Sequence, residues 1–583
     1  MRKKRPVLET LYRQFDKVLV LFFLLFLFME GIWIPFSSLV SDFLLQQTGF
    51  LYLSYTNAVA VMLASPLVAL ALLLVFLLNL LLVYWQMGTI VVGIHELWVK
   101  GHETLPAFLR ATAQESLRVL KQARLSKILF VLLYASGLFP FLRRILKIYY
   151  LNKLLIPEFI LEYISRNSWV ALLLLAFSIL AFWLSTRLMF TLPQIFCEGR
   201  TVREAIAYSV AKTHRKFWRS MWRLMWLTMK VTILCSLVIF MVIVTQSFAD
   251  QLDNAISFYA AVANYVFLEF CYYAVLVYFL LAFVAFSYEE GRRQEKYRRP
   301  RLVRLIAILT MSAGIFTLQA VIYLQFPTEK MPLTISHRGV DQANGVQNTL
   351  EALELTAKLK PDLIEMDIQE TKDHEFVMMH DANLKELAGV DGRPQDFTLA
   401  ELTALEVSEN GHQAKIPSFE AYLERADELG QKLLIEIKTS PKDSPEMMKR
   451  FLEKYGKIIE EKGHQMHSLD YHVVESVLES PYQIPVFFIL PYNTIFPQTS
   501  ATGYTMEYST LDENFILKAL FSQKEVYDWT VNDEETIERS LHLGVNGIIT
   551  DELSLLKESL ETYKKDRSYL QMLTLRMVDM FNF

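Results

Sequence analysis

Acidic side chains alternate with apolar ones in two short segments of the second half of the chain. One segment reads LIEMDI and the other LLIEIK. Residues i and i+2 of a β-strand share a face, so Glu365 is predicted to point the same way as Asp367, and Glu436 the same way as Lys438. Three carboxylates directed at one place repel one another unless a cation lies between them. A hard dication such as Ca²⁺ or Mg²⁺ prefers oxygen ligands, so the pattern predicts a metal site.

Two histidine pairs accompany these acids and add groups that move protons and bind anions. His337 is followed by Arg338, and His380 is followed by Asp381. An imidazole gains and loses a proton near neutral pH, which suits general acid/base catalysis. Arg338 and Lys438 carry positive charge suited to a phosphate. Each residue alone is commonly structural, but their occurrence together at the ends of several strand candidates indicates a functional site.

Strands and helices that alternate along the second half must bring these residues together. Helical runs separate several of the strands, which predicts a parallel sheet with helical crossovers. About 230 residues with eight or nine strands suit a closed (β/α)8 TIM barrel, whose active site lies at the carboxyl ends of the strands. The polar strand ends, Trp529 included, are therefore expected to converge. The nine strand candidates read LTISHRG, LIEMDI, FVMMHD, KLLIEIK, QMHSLDY, VFFIL, GYTMEYS, EVYDWTV and NGIITD, and the helical runs cover 349–359, 418–429, 445–462 and 533–543.

The first 326 residues have the composition of a membrane domain. Long runs of Leu, Val, Phe and Ala dominate them, whereas no apolar run after Pro327 is long enough to span a bilayer. A helix needs roughly 20 apolar residues to cross a membrane. The sequence therefore predicts an N-terminal all-α transmembrane bundle with about seven spans, at 18–38, 58–86, 128–142, 168–190, 229–247, 260–286 and 303–325.

The connections between the spans predict the orientation, because Lys and Arg near span ends stay cytoplasmic. Alternate connections are basic, apart from 143–167, which carries basic residues on the predicted outer side. Seven spans from a basic, cytoplasmic N-terminus place the region after Phe326 outside the cell. The basic connections are 87–127, 193–228 and 287–304, and those without Lys or Arg are 39–57 and 248–259.

These observations divide the chain into three parts. We predict a transmembrane domain over 1–326, a barrel domain over 331–563 and a C-terminal tail over 564–583. Acids inside the spans, Glu30 and Glu269, either line a substrate path or make hydrogen bonds between helices. We favour the second interpretation.

The motifs of the second half, taken in order, resemble the glycerophosphodiester phosphodiesterase family from about Leu333 to Asp551. SHRG resembles the family's opening HRG, and NTLEAL through LIEMDI to MMHD resembles its run from an Asn-Thr through paired acids to a His-Asp. LLIEIK matches its third acidic strand, MHSLDY resembles a segment usually led by Ser-Phe, and VYDWTVND with GVNGIITDE resembles its closing strands. The first 326 residues resemble the multi-helix membrane domain that precedes this domain in some Gram-positive bacteria.

The resemblance implies a TIM-barrel hydrolase that cleaves glycerophosphodiesters to glycerol 3-phosphate and an alcohol with the help of a divalent metal ion, Mg²⁺ or Ca²⁺. Two positions depart from the family pattern, Gln347 where a Glu is usual and Glu386 where an Arg is common. By matching motifs, the metal ligands are Glu365, Asp367 and Glu436, the acid/base pair is His337 and His380, and the substrate-binding residues are Arg338, Lys438 and Trp529.

The functional expectation is a multi-pass enzyme of the cell membrane of a Gram-positive bacterium, with its catalytic barrel outside. The expected substrates are lipid head-group derivatives, lipid-linked molecules or glycerol-phosphate polymers, with membrane lipids as further partners and no nucleic acid. One alternative is a non-catalytic sensor or transport subunit that binds glycerophosphate head groups, and another is a cytoplasmic barrel. The leaving alcohol and the oligomeric state stay open.

Overall fold

The computed structural model describes residues 7–48, 50, 53, 58–135, 160, 168–287, 302–325, 330–492, 496–565 and 568–581. The chain forms two compact units. The first comprises Met1–Gln325 together with Ser568–Phe583, and the second comprises Phe326–Arg567. The sequence predicts a tail over 564–583, and within that stretch the helix Tyr569–Phe581 belongs to the first unit.

The described part of the first unit is helical. Six helical stretches are long and apolar enough to cross a membrane: Gln14–Gln46, Pro66–Lys100, Trp169–Leu188, Phe217–Ala249, Asn254–Phe286 and Ile306–Gln325. They correspond to six of the seven predicted spans. The remaining span, predicted at 128–142, begins in the helix Leu125–Leu133 and then runs beyond the described residues.

Shorter helices complete the first unit. Two of the basic connections, 87–127 and 193–228, contain the helices Leu105–Lys121 and Val202–His214, and a threonine caps each helix at its N-terminus. A threonine hydroxyl there accepts a hydrogen bond from an amide that the helix cannot satisfy internally. The helical elements of this unit are Val7–Phe26, Leu27–Trp33, Ile34–Gln46, Ala58–Ala64, Pro66–His95, Glu96–Lys100, Leu105–Lys121, Leu125–Leu133, Ser168–Leu188, Thr191–Phe196, Val202–His214, Phe217–Ala249, Asn254–Ser287, Leu302–Gln325 and Tyr569–Phe581.

One end of the first unit collects the N-terminal helix and the two basic connections. The Gln14 amide donates to the carbonyl of Leu97 at 3.3 Å, so the first span starts beside the end of the second. The Lys127 ammonium donates to the carbonyl of Gly199 at 3.3 Å. The helix that contains Lys127 therefore begins next to the second basic connection.

The other end of the first unit holds the C-terminal helix. Phe217–Ala249 is 33 residues long, so it carries the chain about 50 Å at 1.5 Å per residue. It ends at Asp250, whose carboxylate accepts from the amide of Leu570 at 3.0 Å. The Tyr323 hydroxyl donates to the carbonyl of Met572 at 2.9 Å. The residues that end the last span therefore lie at this second end.

Glu269, one of the two acids noted inside the spans, forms an ion pair. Its carboxylate lies 2.5 Å from the Arg576 guanidinium, and the Glu269 side chain is almost fully buried. The same guanidinium lies over the rings of Tyr265 and Tyr323. A charge buried among helices is stable only when it is paired, so Glu269 joins the C-terminal helix to the bundle. The side chain of Glu30 lies outside the described residues.

The second unit is a closed parallel barrel of eight strands. Strands pair in the order β1-β11-β10-β9-β8-β7-β6-β2, and β1 also pairs with β2, which closes the ring. Short βαβ crossovers give this parallel arrangement, and it matches the predicted TIM barrel. The strands are β1 Leu333–Ser336, β2 Leu363–Glu370, β3 Phe376–Met378, β4 Glu406–Glu409, β5 His412–Lys415, β6 Leu433–Ile437, β7 Gln465–Ser468, β8 Val486–Leu490, β9 Gly503–Glu507, β10 Glu525–Trp529 and β11 Gly547–Thr550.

Apolar side chains fill the interior of the barrel below the strand ends. They form one buried cluster, and Leu333 and Trp529 pack against it. Removal of apolar surface from water contributes about 25 cal/mol per Å², so this layer stabilises the closed ring and excludes water from beneath the polar residues. The cluster consists of Ile335, Leu363, Leu434, Phe487, Tyr527 and Ile549.

One predicted barrel strand has a different role. The segment FVMMHD contains β3, which pairs antiparallel with β2 and lies outside the ring of eight. Only residues 371–375 connect the two strands. A parallel crossover needs a dozen or more residues, so a connection this short makes a hairpin. β3 therefore extends the end of β2 and carries the following His380 beside it.

Helices follow most of the barrel strands. The four predicted helical runs correspond to Leu350–Ala357, Phe419–Glu428, Met447–Lys462 and Glu534–Leu543. A second hairpin, β4–β5, lies in the stretch between β3 and β6, where the sequence predicts no strand. The other helices of this unit are Lys385–Ala388, Leu399–Thr403, Tyr471–Leu478, Glu513–Phe521 and Leu553–Lys565.

Candidate active site

Three neighbouring strands place charged residues side by side at their carboxyl ends. Asp367 on β2 is in register with Glu436 on β6, and Glu436 is in register with His467 on β7. Glu365 lies on the same face of β2 as Asp367, because the two are separated by one residue. All four side chains are buried, with residue exposures between 1% and 7%.

Glu365, Glu436 and His467 form a group that can hold a metal ion. One ligand atom from each lies within 4.8 Å of the others. Neither ring nitrogen of His467 has a hydrogen-bond partner among the described residues, and Nε2 lies 3.5 Å from the Glu365 carboxylate. A buried polar atom without a partner is costly and commonly marks the place of an ion or a water. The residues present therefore fit a divalent cation.

Lys438 lies between two of the acids. Its ammonium is 2.6 Å from the Glu436 carboxylate and 3.1 Å from the Asp367 carboxylate. Burial opposes its charge, but the two carboxylates outweigh that effect and raise the pKa of Lys438. Burial likewise opposes the charge of Asp367, yet Lys438, His380 and Arg338 together hold the pKa of Asp367 well below its usual range. Both groups are charged near neutral pH.

Arg338 is positioned from both its backbone and its side chain. Its amide donates to the Glu365 carboxylate at 2.9 Å, and its guanidinium donates to Gln347 Oε1 at 2.7 Å. Gln347 in turn donates its side-chain amide to Glu409 at 2.7 Å. Gln347, which stands where the family pattern has Glu, therefore links the Arg338 guanidinium to the Glu409 carboxylate on the β4–β5 hairpin.

Asn348 fixes Asp367 by a pair of hydrogen bonds. The Asn348 amide nitrogen donates to Asp367 Oδ2 at 2.9 Å, and the backbone amide of Asp367 donates to Asn348 Oδ1 at 3.0 Å. Asn348 adopts a φ of 58°, a left-handed conformation that Asn tolerates better than most residues. These two hydrogen bonds fix the orientation of the Asp367 carboxylate.

His337 follows β1 and is paired with an acid that follows β11. Its Nδ1 is 2.8 Å from Asp551 Oδ1. Burial opposes the charge of the imidazole, but the Asp551 carboxylate outweighs it and the pKa of His337 is raised. For Asp551, burial is opposed by the charge and hydrogen bond of His337, which lower its pKa to about 2. The pair favours the imidazolium form of His337.

His380 follows β3 in a loop that one side chain holds in place. The Gln369 amide nitrogen donates to the carbonyls of Met379, His380 and Asp381, at 3.0, 3.2 and 2.9 Å. His380 Nδ1 is 2.7 Å from Asp381 Oδ1. If Nδ1 carries the proton that Asp381 accepts, Nε2 keeps its lone pair and can take up a proton.

The remaining predicted residues lie at different depths. Trp529 ends β10 and packs against the apolar cluster inside the barrel. Glu386 lies on the exposed surface of the short helix Lys385–Ala388. Glu386 is therefore exposed to solvent, unlike the buried carboxylates of β2 and β6.

The structure thus places most of the predicted residues along the strand ends of one side of the barrel, and it adds partners that sequence reasoning missed. His467 and Asp551 both come from segments identified as strands. The signal that could have found His467 is its alternation with Gln465 on β7, and Asp551 directly follows β11. Gln369, Asn348 and Glu409 act on other side chains, a role that sequence spacing does not reveal.

Comparison with known proteins gives matches to both halves of the chain. Residues 4–324 match the family model described as the membrane domain of glycerophosphoryl diester phosphodiesterase. Residues 337–477 match the model of the glycerophosphoryl diester phosphodiesterase family. The first of these matches spans more than half of the chain.

Individual relatives align with somewhat more than a third of this chain. YhdW of Bacillus subtilis (strain 168) is 28% identical over 229 residues, which covers 37% of this chain and 93% of YhdW. A glycerophosphodiester phosphodiesterase of Caldanaerobacter subterraneus is 25% identical over 229 residues, covering 38% of this chain and 94% of the relative. A solved Oleispira antarctica phosphodiesterase in complex with sn-glycerol-3-phosphate is 20% identical, with a TM-score of 0.37, and covers 40% of this chain and 97% of that protein.

The two family matches agree with the architecture, in which apolar helices precede an eight-stranded parallel barrel with a metal-competent group at its strand ends. The chain belongs to the glycerophosphoryl diester phosphodiesterase family of phosphoric diester hydrolases and carries the family's membrane domain.

Proposed function

We propose that this protein is a membrane-anchored enzyme that hydrolyses glycerophosphodiesters to glycerol 3-phosphate and an alcohol. One observation carries the proposal most strongly. The two histidines each bind an aspartate through Nδ1, and they flank buried carboxylates and the cations Arg338 and Lys438. General acid, general base, anion-binding and metal-binding groups are then available at one end of a barrel.

His337 acts as the general acid in this proposal. The Asp551 carboxylate raises the pKa of His337 and so favours the imidazolium, the form in which Nε2 carries a proton to donate. As the phosphorus–oxygen bond to the leaving alcohol breaks, this proton passes to the alkoxide oxygen. A proton transfer of this kind contributes about 10²–10⁴-fold to the rate.

His380 acts as the general base. Asp381 accepts from Nδ1, which leaves Nε2 to remove the proton from the attacking hydroxyl. The attacker is water or the substrate's own glycerol hydroxyl, and the latter route gives a cyclic phosphate that water then opens. The new phosphorus–oxygen bond forms as the hydroxyl loses its proton. In each displacement His380 therefore gains one proton and His337 gives one up.

Glu365, Asp367 and Glu436 are the proposed metal ligands. Carboxylate oxygens alone favour Mg²⁺ or Ca²⁺. A dication held by these residues would supply positive charge that offsets the charge of the phosphoryl group and would make the attacking hydroxyl more acidic. Arg338 and Lys438 are the proposed phosphate contacts, and Trp529 is the proposed wall of the substrate pocket.

The test is turnover of glycerophosphocholine by the purified full-length chain with Mg²⁺ or Ca²⁺, with and without a chelator. We expect release of glycerol 3-phosphate that the chelator abolishes and that His337→Ala lowers by at least about 10²-fold. His472, whose side chain is 90% exposed, gives the matched control His472→Ala. Binding of glycerophosphocholine without turnover would contradict the enzyme and support a head-group sensor.

The membrane domain fixes this enzyme to a bilayer, and we further propose that the barrel faces the outside of a Gram-positive cell. The first span starts at one end of the helical unit, whereas the last span ends at the other, beside Asp250 and the C-terminal helix. The first end carries the basic connections 87–127 and 193–228, and basic connections stay cytoplasmic. An odd number of crossings produces this arrangement, as the seven predicted spans do.

Protease treatment of intact protoplasts tests the orientation. We expect loss of the barrel domain without lysis, and loss of the connection 193–228 only after lysis. Full protection of the barrel until lysis would show that it is cytoplasmic. Lipid-linked head groups and glycerol-phosphate polymers are the proposed natural substrates, because an outward barrel held at a membrane meets both.

A further inference from the structure

His467 is a buried imidazole that the proposed mechanism does not use. It is 2% exposed and lies on the inward face of β7, in register with Glu436. Neither ring nitrogen has a hydrogen-bond partner among the described residues. Burial of a polar group without compensation costs roughly 1–3 kcal/mol on the scale of protein mutations, so the imidazole at this position needs a partner that the described residues do not provide.

A purely structural role for His467 explains little of this geometry. The nearest acceptor is the Glu365 carboxylate, and the 3.5 Å between its Oε1 and Nε2 exceeds the 2.7–3.2 Å range of ordinary N–H···O bonds. Glu365 already accepts from the Arg338 amide at 2.9 Å through its other oxygen. If the side chain only filled space in the core, an apolar residue would suffice at this position, as buried Met466 does on the opposite face of the strand.

The group that surrounds His467 has the composition of a metal-binding site. Glu365, Glu436 and His467 each offer an atom within 4.8 Å of the others, and two carboxylates carry the negative charge that a dication neutralises. Asp367 is not one of these three, and Lys438 contacts one oxygen of Asp367 and one of Glu436. The other oxygen of Asp367 accepts a hydrogen bond from Asn348, so both of its oxygens are engaged. The nitrogen of His467 is thus better placed than Asp367 to join Glu365 and Glu436.

We propose that His467 is a ligand of the metal ion, so that the site binds through one imidazole nitrogen and at least two carboxylates. This inference rests on the proposed function and refines its metal. Imidazole favours first-row transition ions, whereas an all-oxygen site suits Ca²⁺ and Mg²⁺. The consequence is selectivity, in which Co²⁺, Mn²⁺ or Zn²⁺ binds more tightly than Ca²⁺ because of His467.

The experiment measures binding and ligand identity in the full-length chain, apart from turnover. Calorimetric titrations with Co²⁺ and with Ca²⁺ give the ratio of the two affinities for the parent, for His467→Gln and for the control His472→Gln. Removal of a group that supports a metal ligand typically weakens binding by about 10–100-fold, and we expect His467→Gln to lower the Co²⁺ to Ca²⁺ affinity ratio by at least about tenfold. His472→Gln is expected to leave the ratio unchanged, because that side chain is exposed.

A second measurement takes its main signal from the parent chain, so that signal does not depend on the folding of His467→Gln. Pulsed electron paramagnetic resonance of bound Mn²⁺ detects nitrogen directly coordinated to the ion. The parent chain is expected to show ¹⁴N coupling that changes to ¹⁵N coupling after growth on ¹⁵N-histidine, and folded His467→Gln is expected to lose it.

The outcomes separate this inference from the proposed function. Bound Mn²⁺ without histidine coupling, or an affinity ratio that His467→Gln leaves unchanged, would overturn nitrogen ligation while chelator-sensitive turnover stands. Histidine coupling in a chain that releases no glycerol 3-phosphate with any dication would keep the ligand and overturn the enzyme.

Discussion

Replacement of Lys438 by Met tests the electrostatic balance of the site. The Lys438 ammonium pairs with Asp367 and Glu436, whose side chains are 1% and 9% exposed. Removal of one partner from a buried ion pair costs about 3–5 kcal/mol, because the remaining charge is left uncompensated. We therefore expect Lys438→Met to lower the opening free energy of β2 and β6 by about 3–5 kcal/mol in the presence of a chelator.

A divalent metal should restore much of that loss. An ion at about 100 times its dissociation constant adds about 2.7 kcal/mol to the stability of the folded state. The variant lacks the ammonium that competes for the carboxylates, so it is expected to gain more from metal than the parent does. Substrate turnover is expected to fall as well, because a phosphate contact is lost.

Hydrogen–deuterium exchange measured by mass spectrometry on the full-length chain gives these free energies strand by strand. Lys442→Met is the matched control, because its ammonium forms an exposed pair with Asp396. Exposed pairs contribute at most about 1 kcal/mol. If Lys438→Met exchanges in chelator as slowly as the parent, the ammonium does not compensate the buried acids and the reasoning is refuted.

Two further substitutions test the groups that position His337 and Arg338. In Asp551→Asn the carboxylate that raises the pKa of His337 is gone, so the alkaline limb of the kcat/KM profile, where the imidazolium is lost, is expected to move to lower pH; an unmoved limb would exclude His337 as the acid. In the parent chain, Glu409→Gln is expected to lower the stability by about 1–3 kcal/mol, because Glu409 accepts two hydrogen bonds from Gln347. In the Gln347→Glu variant the same substitution is expected to raise the stability, because it removes the repulsion between the carboxylates at positions 347 and 409. A double-mutant cycle, with free energies from hydrogen exchange, measures the coupling between positions 347 and 409. Additive effects of the two substitutions would contradict the contact between Gln347 and Glu409.

The alternating strands were the part of the site that sequence could predict. A period of two fixes which residues share a face, so Glu365 with Asp367 and Glu436 with Lys438 follow directly from the segments that contain them. Burial of those strands on both faces, as in parallel barrels, made the acids stand out in apolar runs. The eight barrel strands and the order of the two domains followed from the same patterns.

Pairings between distant segments could not be predicted in this way. His337 meets Asp551 across 214 residues, and that contact exists only because β1 and β11 are neighbours in the closed ring. The nine strand candidates do not reveal which of them lies outside the ring of eight, because β3 has the same apolar composition as the barrel strands. His467 was missed because a single His in a short strand carries no signal until its register with Glu436 is known.

The position of a bound dication tests the central claim most directly. Crystals of the protein grown with Mn²⁺ locate the ion by its anomalous scattering. We predict one strong peak at the strand ends of the barrel, about 2.0–2.6 Å from carboxylate oxygens of Glu365 and Glu436. A saturating concentration of Mn²⁺ that leaves no peak between these two side chains would contradict the account.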